Sequence, residues 1–203
     1  MSLNIIHDDI TTLNVDAIVN AANINLRMGS GVCGAIFNAA GADMLKVACD
    51  KLAPIKTSEA VLTQGFNLPA KYIIHAAGPI YRDGNYGEEK LLRNTYINSM
   101  KCAIENGCRT IAFPLISSGS YGYPKEEAVR IAIDTIHDFI HDRDISVFLV
   151  VFEKNCMKQL LKILQGIRYE KNTQADIYSS AIQNTHLPRI ILFSYNNSWD
   201  RWI

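Results

Sequence analysis

Short apolar runs alternate along this chain with longer segments in which apolar residues recur every three or four positions. The runs at 3–7, 15–20, 59–66, 72–76, 110–114 and 147–152 read as strands. The run at 147–152 is apolar throughout, as a central strand covered on both faces should be. Helical spacing predicts a helix over 34–52, where Ala35, Ile36, Ala39, Ala40, Met44 and Leu45 fall on one face. Further helices are predicted over 88–106, 124–142 and 155–164. Gly107 stands in the position of a C-terminal cap. Pro124, with Glu126 and Glu127 behind it, suits a helix start.

Strands alternating with helices predict an α/β sandwich with a largely parallel sheet. In such sheets ligands bind outside the carboxyl ends of the strands. Asn20, Pro114 and Phe152 each fall at such an end, so the chemistry is expected there. From about residue 167 the pattern changes. Residues 169–184 are polar, 188–195 read as an extra edge strand, and Trp199 and Trp202 stand near the end. The expected division is a main domain over 1–166 and a C-terminal extension over 167–203 packed on it. The alternative is a partner-binding segment anchored by the two tryptophans.

Composition narrows the function classes. Of 203 residues, 48% are hydrophobic, enough for a two-sided core. Lys plus Arg and Asp plus Glu number 20 each, so the formal charge is zero. That balance argues against unspecific binding to nucleic acid or to an acidic membrane. A bound phosphate is therefore expected to be held by backbone amides and local geometry. No apolar run is long enough to span a bilayer, and the N-terminus lacks a secretory pattern. The five cysteines (Cys33, Cys49, Cys102, Cys108 and Cys156) are scattered, with no Cys-x-x-Cys pair. Free thiols in a cytoplasmic protein are expected, with no disulfide framework, no metal and no cofactor.

The chemistry gathers in two loops. Val-Asp-Ala-Ile-Val-Asn-Ala-Ala-Asn at 15–23 ends in carboxamides, and Gly29-Ser30-Gly31-Val32-Cys33-Gly34 then opens a helix. Glycine lets backbone approach a ligand, and a helix N-terminus offers unpaired N–H groups that suit an anion. The second loop, Ser117-Ser118-Gly119-Ser120-Tyr121-Gly122-Tyr123-Pro124, also precedes a helix. Two such loops at one sheet edge are suited to gripping a diphosphate from opposite sides. Tyr121, held outward between glycines, is placed to cover a sugar. Asp9 is a candidate acceptor for an exocyclic amine, or else a cap. Phe152 is a candidate for stacking on a base, or else core. Asn20 and Asn23 are candidates to orient ribose hydroxyls, or else structural amides. His75 and His7 read as satisfied core histidines.

These landmarks, in this order, resemble the macrodomain family, which recognises ADP-ribose. The resemblance runs over about residues 4–164. It rests on Asp9-Ile10-Thr11, 15–23, 29–41, Asn67-Leu68-Pro69-Ala70-Lys71-Tyr72, His75 with Gly78-Pro79, and 116–124. It implies a three-layer α/β/α sandwich with a mixed, largely parallel central sheet. Within the family the chain is most similar to O-acetyl-ADP-ribose deacetylases and mono-ADP-ribosyl hydrolases. Asp9 would hold the adenine amine, Ile10 would line its pocket and Phe152 would pack on it. Gly31, Val32 and the Ser118–Gly122 loop would supply amides to the diphosphate. Asn23 would contact the distal ribose and Tyr121 would cover it.

The chain departs from that branch. Met28 and Ser30 interrupt the glycine run, Cys33 stands where aspartate is expected and Phe37 where histidine is expected. Asp8 replaces a usual glycine. The expected aspartate is thought to position or activate water, and a thiol is a poorer base. Losing one general base typically costs about 100- to 10,000-fold in rate. Three readings follow: a hydrolase of O-acetyl-ADP-ribose or of ADP-ribosyl esters on proteins, with Asn23 and Cys33 as candidate catalytic residues; a reader that binds ADP-ribose marks without cleaving them; and, more remotely, an RNA-binding domain, disfavoured by zero net charge. The expected partner is ADP-ribose or an ADP-ribosylated protein.

Overall fold

The computed structural model describes residues 2–152 and the backbone course of 190–194. Seven strands form one sheet: β1 (Ser2–His7), β2 (Ala17–Ala22), β3 (Ala60–Gln64), β4 (Tyr72–Ala77), β5 (Thr110–Pro114), β6 (Ser146–Val151) and β7 (Ile190–Ser194). Their spatial order is β3-β4-β2-β5-β6-β1-β7. Every pairing is parallel except β3 with β4, so the sheet is mixed and largely parallel.

Alternate residues of each strand serve opposite layers, as a pleat of period two requires. In β5, Ile111 and Phe113 face a core shared with Leu92, Tyr96 and Met100 of α3 (Glu88–Glu105) and Ala132, Ile136 and Ile140 of α4 (Lys125–Ile140). Ala112 between them faces a second core. That core holds Ile36, Phe37 and Ala40 of α1 (Gly31–Ala40) and Leu45 and Cys49 of α2 (Ala42–Asp50). Among the described residues, two helices on each face make the three-layer sandwich.

The single helix expected over 34–52 is two helices, bent by 107°. Gly41 makes the break with φ +96, a conformation L side chains rarely adopt. A Cβ there would also lie 2.7 Å from Met44 Cε and 3.0 Å from Asn67 Nδ2. Apolar periodicity runs through the break, so spacing alone does not reveal it. A short 3₁₀ turn, Ile10–Thr12, was not expected; Asp9 caps it. The edge strand read at 188–195 is present as β7, beside β1. The helix expected at 155–164, the domain boundary at 166 and the tryptophans lie outside the described residues.

Asp16, just before β2, ties that strand to the start of β5. Its carboxylate accepts from the amides of Arg109 and Thr110, both at 2.9 Å, and from Thr110 Oγ1 at 2.8 Å. Burial pushes this carboxyl up, but those donors outweigh it and hold the group below its usual range. The tie sets the relative height of two strands whose far ends build the site.

Candidate functional site

A cavity of about 680 Å³ opens at the carboxyl ends of the strands. Asp8, Asp9 and Ile10 follow β1, Ala22 and Asn23 close β2, and Gly78 follows β4. Pro114 to Tyr121 continue β5, and Val150 to Phe152 end β6. The position is the one expected of an open parallel sheet.

One wall is the start of α1. Gly31, Val32 and Cys33, its first three residues, line the cavity. Their amides precede the first intrahelical bond, which is Gly34 N to Ser30 O. Ser30 makes no side-chain cap bond that would consume them. The opposite wall is the second loop. Ser118, Gly119, Ser120 and Tyr121 all line the cavity. Among the described residues, none of their four amides donates to a protein acceptor. The loop is nevertheless firmly held. Gly122 N donates to Gly119 O at 2.9 Å, Tyr123 N to Ser117 O at 3.0 Å, and Ser118 Oγ to Leu115 O at 2.9 Å. Below it, Ile116 N donates to the buried Tyr96 hydroxyl at 3.1 Å. Burial pushes that phenol far up, so it stays a neutral acceptor. Rigid, unpaired amides on two sides form a ready anion cradle.

The ends of the cavity differ. At one, Asp9 Oδ1 accepts from Thr11 N at 2.9 Å and from Thr11 Oγ1 at 2.8 Å. Its second carboxylate oxygen is left for a ligand donor. Phe152 stands there 74% exposed, so its ring is a free face and not core packing. At the other end, Asn23 Nδ2 donates to Arg27 O at 2.6 Å, and its Oδ1 accepts from Asn25 N and Arg27 N at 3.1 and 3.2 Å. The Cys33 thiol, 5% exposed, lies 3.8 Å from the same Arg27 carbonyl. Burial first, and then proximity to Cys33, raise the phenol of Tyr121 above its ordinary value, so it remains a hydroxyl.

Three expected ligand residues are corrected. Asn20 does not line the cavity. It is fully buried, with Nδ2 3.1 Å from His75 Nδ1. Thr63 Oγ1 lies 3.0 Å from the other ring nitrogen and Cys49 Sγ 3.7 Å from it. Burial lowers His75 to about 4, so the ring is neutral. Asn20 sits on the α1–α2 side of β2, where the pleat turns it into the core. Gly34 also stays behind the wall: a Cβ there would lie 2.6 Å from Gly29 O, so its role is close packing. Gly122, at φ +70, shapes the second loop without bordering the cavity.

Other residues were missed. Asp8, Gly29, Ser30, Leu115 and Ile116 line the cavity, as does Gly78. A Cβ at Gly78 would strike Ser117 Oγ at 2.4 Å and Ile116 Cγ2 at 2.6 Å, so this glycine lets β4 close on the second loop. Their position just past strand ends was a usable signal. Lys125 also borders the cavity. A cation therefore stands beside the amides that were expected to hold a phosphate alone.

The fold and this two-walled cleft define the class. The sequence profile of the Macro domain matches residues 19–132, and the chain belongs to the macrodomain family. A macro domain-containing protein of Chlorobaculum tepidum is 53% identical over 140 residues, covering 69% of this chain and 81% of the relative. An O-acetyl-ADP-ribose deacetylase of Escherichia fergusonii is 44% identical over 158 residues, covering 75% and 89%. Among solved structures, an Oceanobacillus iheyensis macrodomain with ADP has a TM-score of 0.75 and 37% identity, covering 81% of this chain and 91% of that one. A Trypanosoma brucei macrodomain in complex with ADP-ribose has a TM-score of 0.71 and 35% identity, covering 80% and 68%.

Proposed function

We propose that the cleft binds ADP-ribose, in free form or as a mark on protein, and that the chain recognises this group more readily than it cleaves it. The observation that carries the reading is the run of four unpaired amides at Ser118 to Tyr121, facing the uncapped first turn of α1 across one cavity. Adenine fits between the open Asp9 oxygen and the Phe152 ring, the diphosphate between the loops, and the distal ribose beside Asn23 and Tyr121. The ADP and ADP-ribose complexes of the structural neighbours support a ligand of this class.

Hydrolysis of O-acetyl-ADP-ribose or of an ADP-ribosyl ester is the second reading, favoured by the deacetylase relatives. The site supports only slow turnover. Its charged lining residues are Asp8, Asp9 and Lys125, and none follows β2, where the distal ribose would sit. The Asn23 amide is committed to its own loop, and Cys33 brings a thiol where a carboxylate would act. Water aligned by substrate groups and by proximity remains a route. We place the protein in the cytoplasm, in keeping with free Cys33, Cys49, Cys102 and Cys108.

Calorimetry with ADP-ribose is expected to give a micromolar dissociation constant, roughly −8 kcal/mol. Turnover of O-acetyl-ADP-ribose and of an Asp- or Glu-modified protein separates the two readings. Cys33→Asp is expected to raise slow turnover by about 100-fold or more. A wild type already turning over as fast as that variant would refute the reader assignment.

A further inference from the structure

The segment between Asn23 and Gly29 is an unusual piece of surface. It is short and fixed in shape, and it presents Ile24, Asn25, Arg27 and Met28 to solvent. The Asn23 side chain bonds both the amide and the carbonyl of Arg27, and Leu26 N donates to Asn23 O at 2.9 Å. Ile55 N holds the Ile24 carbonyl at 2.8 Å. Leu26, at φ 52, is turned inward and buried. Ile24 and Met28 are left outward, 46% and 47% exposed. Across the mouth, the chain leaving the cavity wall at Gly78 carries Ile80, 63% exposed, and is tied to the second loop by Tyr81 N donating to Tyr121 O at 2.9 Å.

Apolar side chains in water beside a cleft mark an interaction surface. The backbone that carries them is held beforehand, so little backbone freedom is lost on binding. Their position says what they meet. In the ADP-ribose reading, on which this inference rests, the distal ribose lies beside Asn23 and Tyr121, so whatever it is attached to must leave the cleft over these residues. Arg27 stands exposed in the middle of the segment, with no ion pair among the described residues. An apolar pair flanking an arginine is the composition of a protein-contacting surface. It complements an acidic polypeptide with an apolar side chain next to the modified residue.

We propose that Ile24, Arg27 and Met28, with Ile80 opposite, form a docking lip for the polypeptide that carries the ADP-ribose. The chain then reads an ADP-ribosylated acidic segment as one epitope, group and peptide together. The lip contributes nothing to free ADP-ribose, because Ile24, Arg27 and Met28 do not line the cavity.

The test compares free ADP-ribose with a ten-residue acidic peptide bearing ADP-ribose through an uncleavable amide link beside a leucine. A 5′-ADP-ribosylated RNA oligonucleotide serves as the nucleic-acid arm. The full chain is expected to bind the peptide conjugate roughly tenfold tighter than free ADP-ribose, a factor easily read by calorimetry. The double variant Ile24→Ser, Met28→Ser is expected to lose that advantage and keep its affinity for free ADP-ribose. Equal affinity of wild type for conjugate and free ligand overturns the lip. So does an undiminished advantage in the double variant, or an equal gain on the RNA conjugate. Failure to bind free ADP-ribose at all overturns the underlying reading instead, so the two failures are distinct.

Discussion

Gly34 in the first loop stands behind the cleft wall and Gly119 in the second lines the cleft, and an added methyl would meet different surroundings at each. At Gly34 it would lie 2.6 Å from the Gly29 carbonyl oxygen, backbone against backbone. At Gly119 nothing lies within 4 Å, and the backbone is not left-handed. The first loop therefore uses this glycine to pack, so that the start of α1 is brought up to the chain before it. The second uses its glycine to leave room. Small size in a glycine-rich loop has two separate physical causes, and only the second concerns a guest.

The largest expected effect follows from that difference. Gly119→Glu is expected to abolish ADP-ribose binding, a loss of at least a hundredfold in calorimetry, while the melting temperature stays within a degree or two of wild type. Retained affinity would mean that the open space at Gly119 is not the phosphate site.

Next in size is a pH effect on the core beneath the first loop. His75 is neutral when folded, lowered by burial to about 4 from an ordinary 6.5. The unfolded chain therefore takes up a proton that the folded chain refuses. Stability from this group is fully present above pH 6.5 and is lost as pH falls toward 4, by about 3 kcal/mol in all. Denaturant unfolding at pH 7 and pH 4.5 is expected to show most of that loss. His75→Gln, which cannot charge, should lack this component in the same window. A variant that still falls in parallel with wild type would place the acid sensitivity elsewhere.

Gly34→Ala should cost roughly 1–3 kcal/mol in stability, as overpacking against backbone does. It should also weaken ADP-ribose binding, since α1 must move to admit the methyl. Binding lost without loss of stability would contradict the packing role. The smallest effect is expected for Asn23→Ala. Its amide bonds lie near the surface, so about 1 kcal/mol is expected, read by chemical denaturation. Binding should weaken only a few-fold, because the side chain is already committed to its own loop.

The two loops also differ in how well local sequence revealed them. The second was legible in outline because its main cues are local: a strand ending at Pro114, a hydroxyl-rich glycine turn and a proline-led helix; that Gly122 shapes the turn without lining the cavity was not. The first was only half legible. Gly31, Val32 and Cys33 line the cavity where the local pattern puts them, but Gly34 does not, because spacing cannot distinguish a packing glycine from an open one. Asn20 and Asn23 look alike in sequence, three positions apart. The pleat of β2 turns Asn20 into the core against His75, while Asn23 lies beyond the end of that strand and stands at the cavity. Phe152 carries two readings that spacing leaves open, and its exposed ring at the end of β6 rules out core packing.

Alternating apolar runs, glycine turns and the order of motifs were enough to determine the α/β class, the strand ends where the site lies and the family. These follow from interactions between near neighbours in the chain. The tertiary structure alone decided which helix breaks at Gly41, which amides remain without acceptors, that Lys125 reaches the cleft, and that Ile24 and Met28 stay in water at its mouth. Each of those outcomes depends on contacts between residues distant in sequence, whose distances and burial no local pattern encodes.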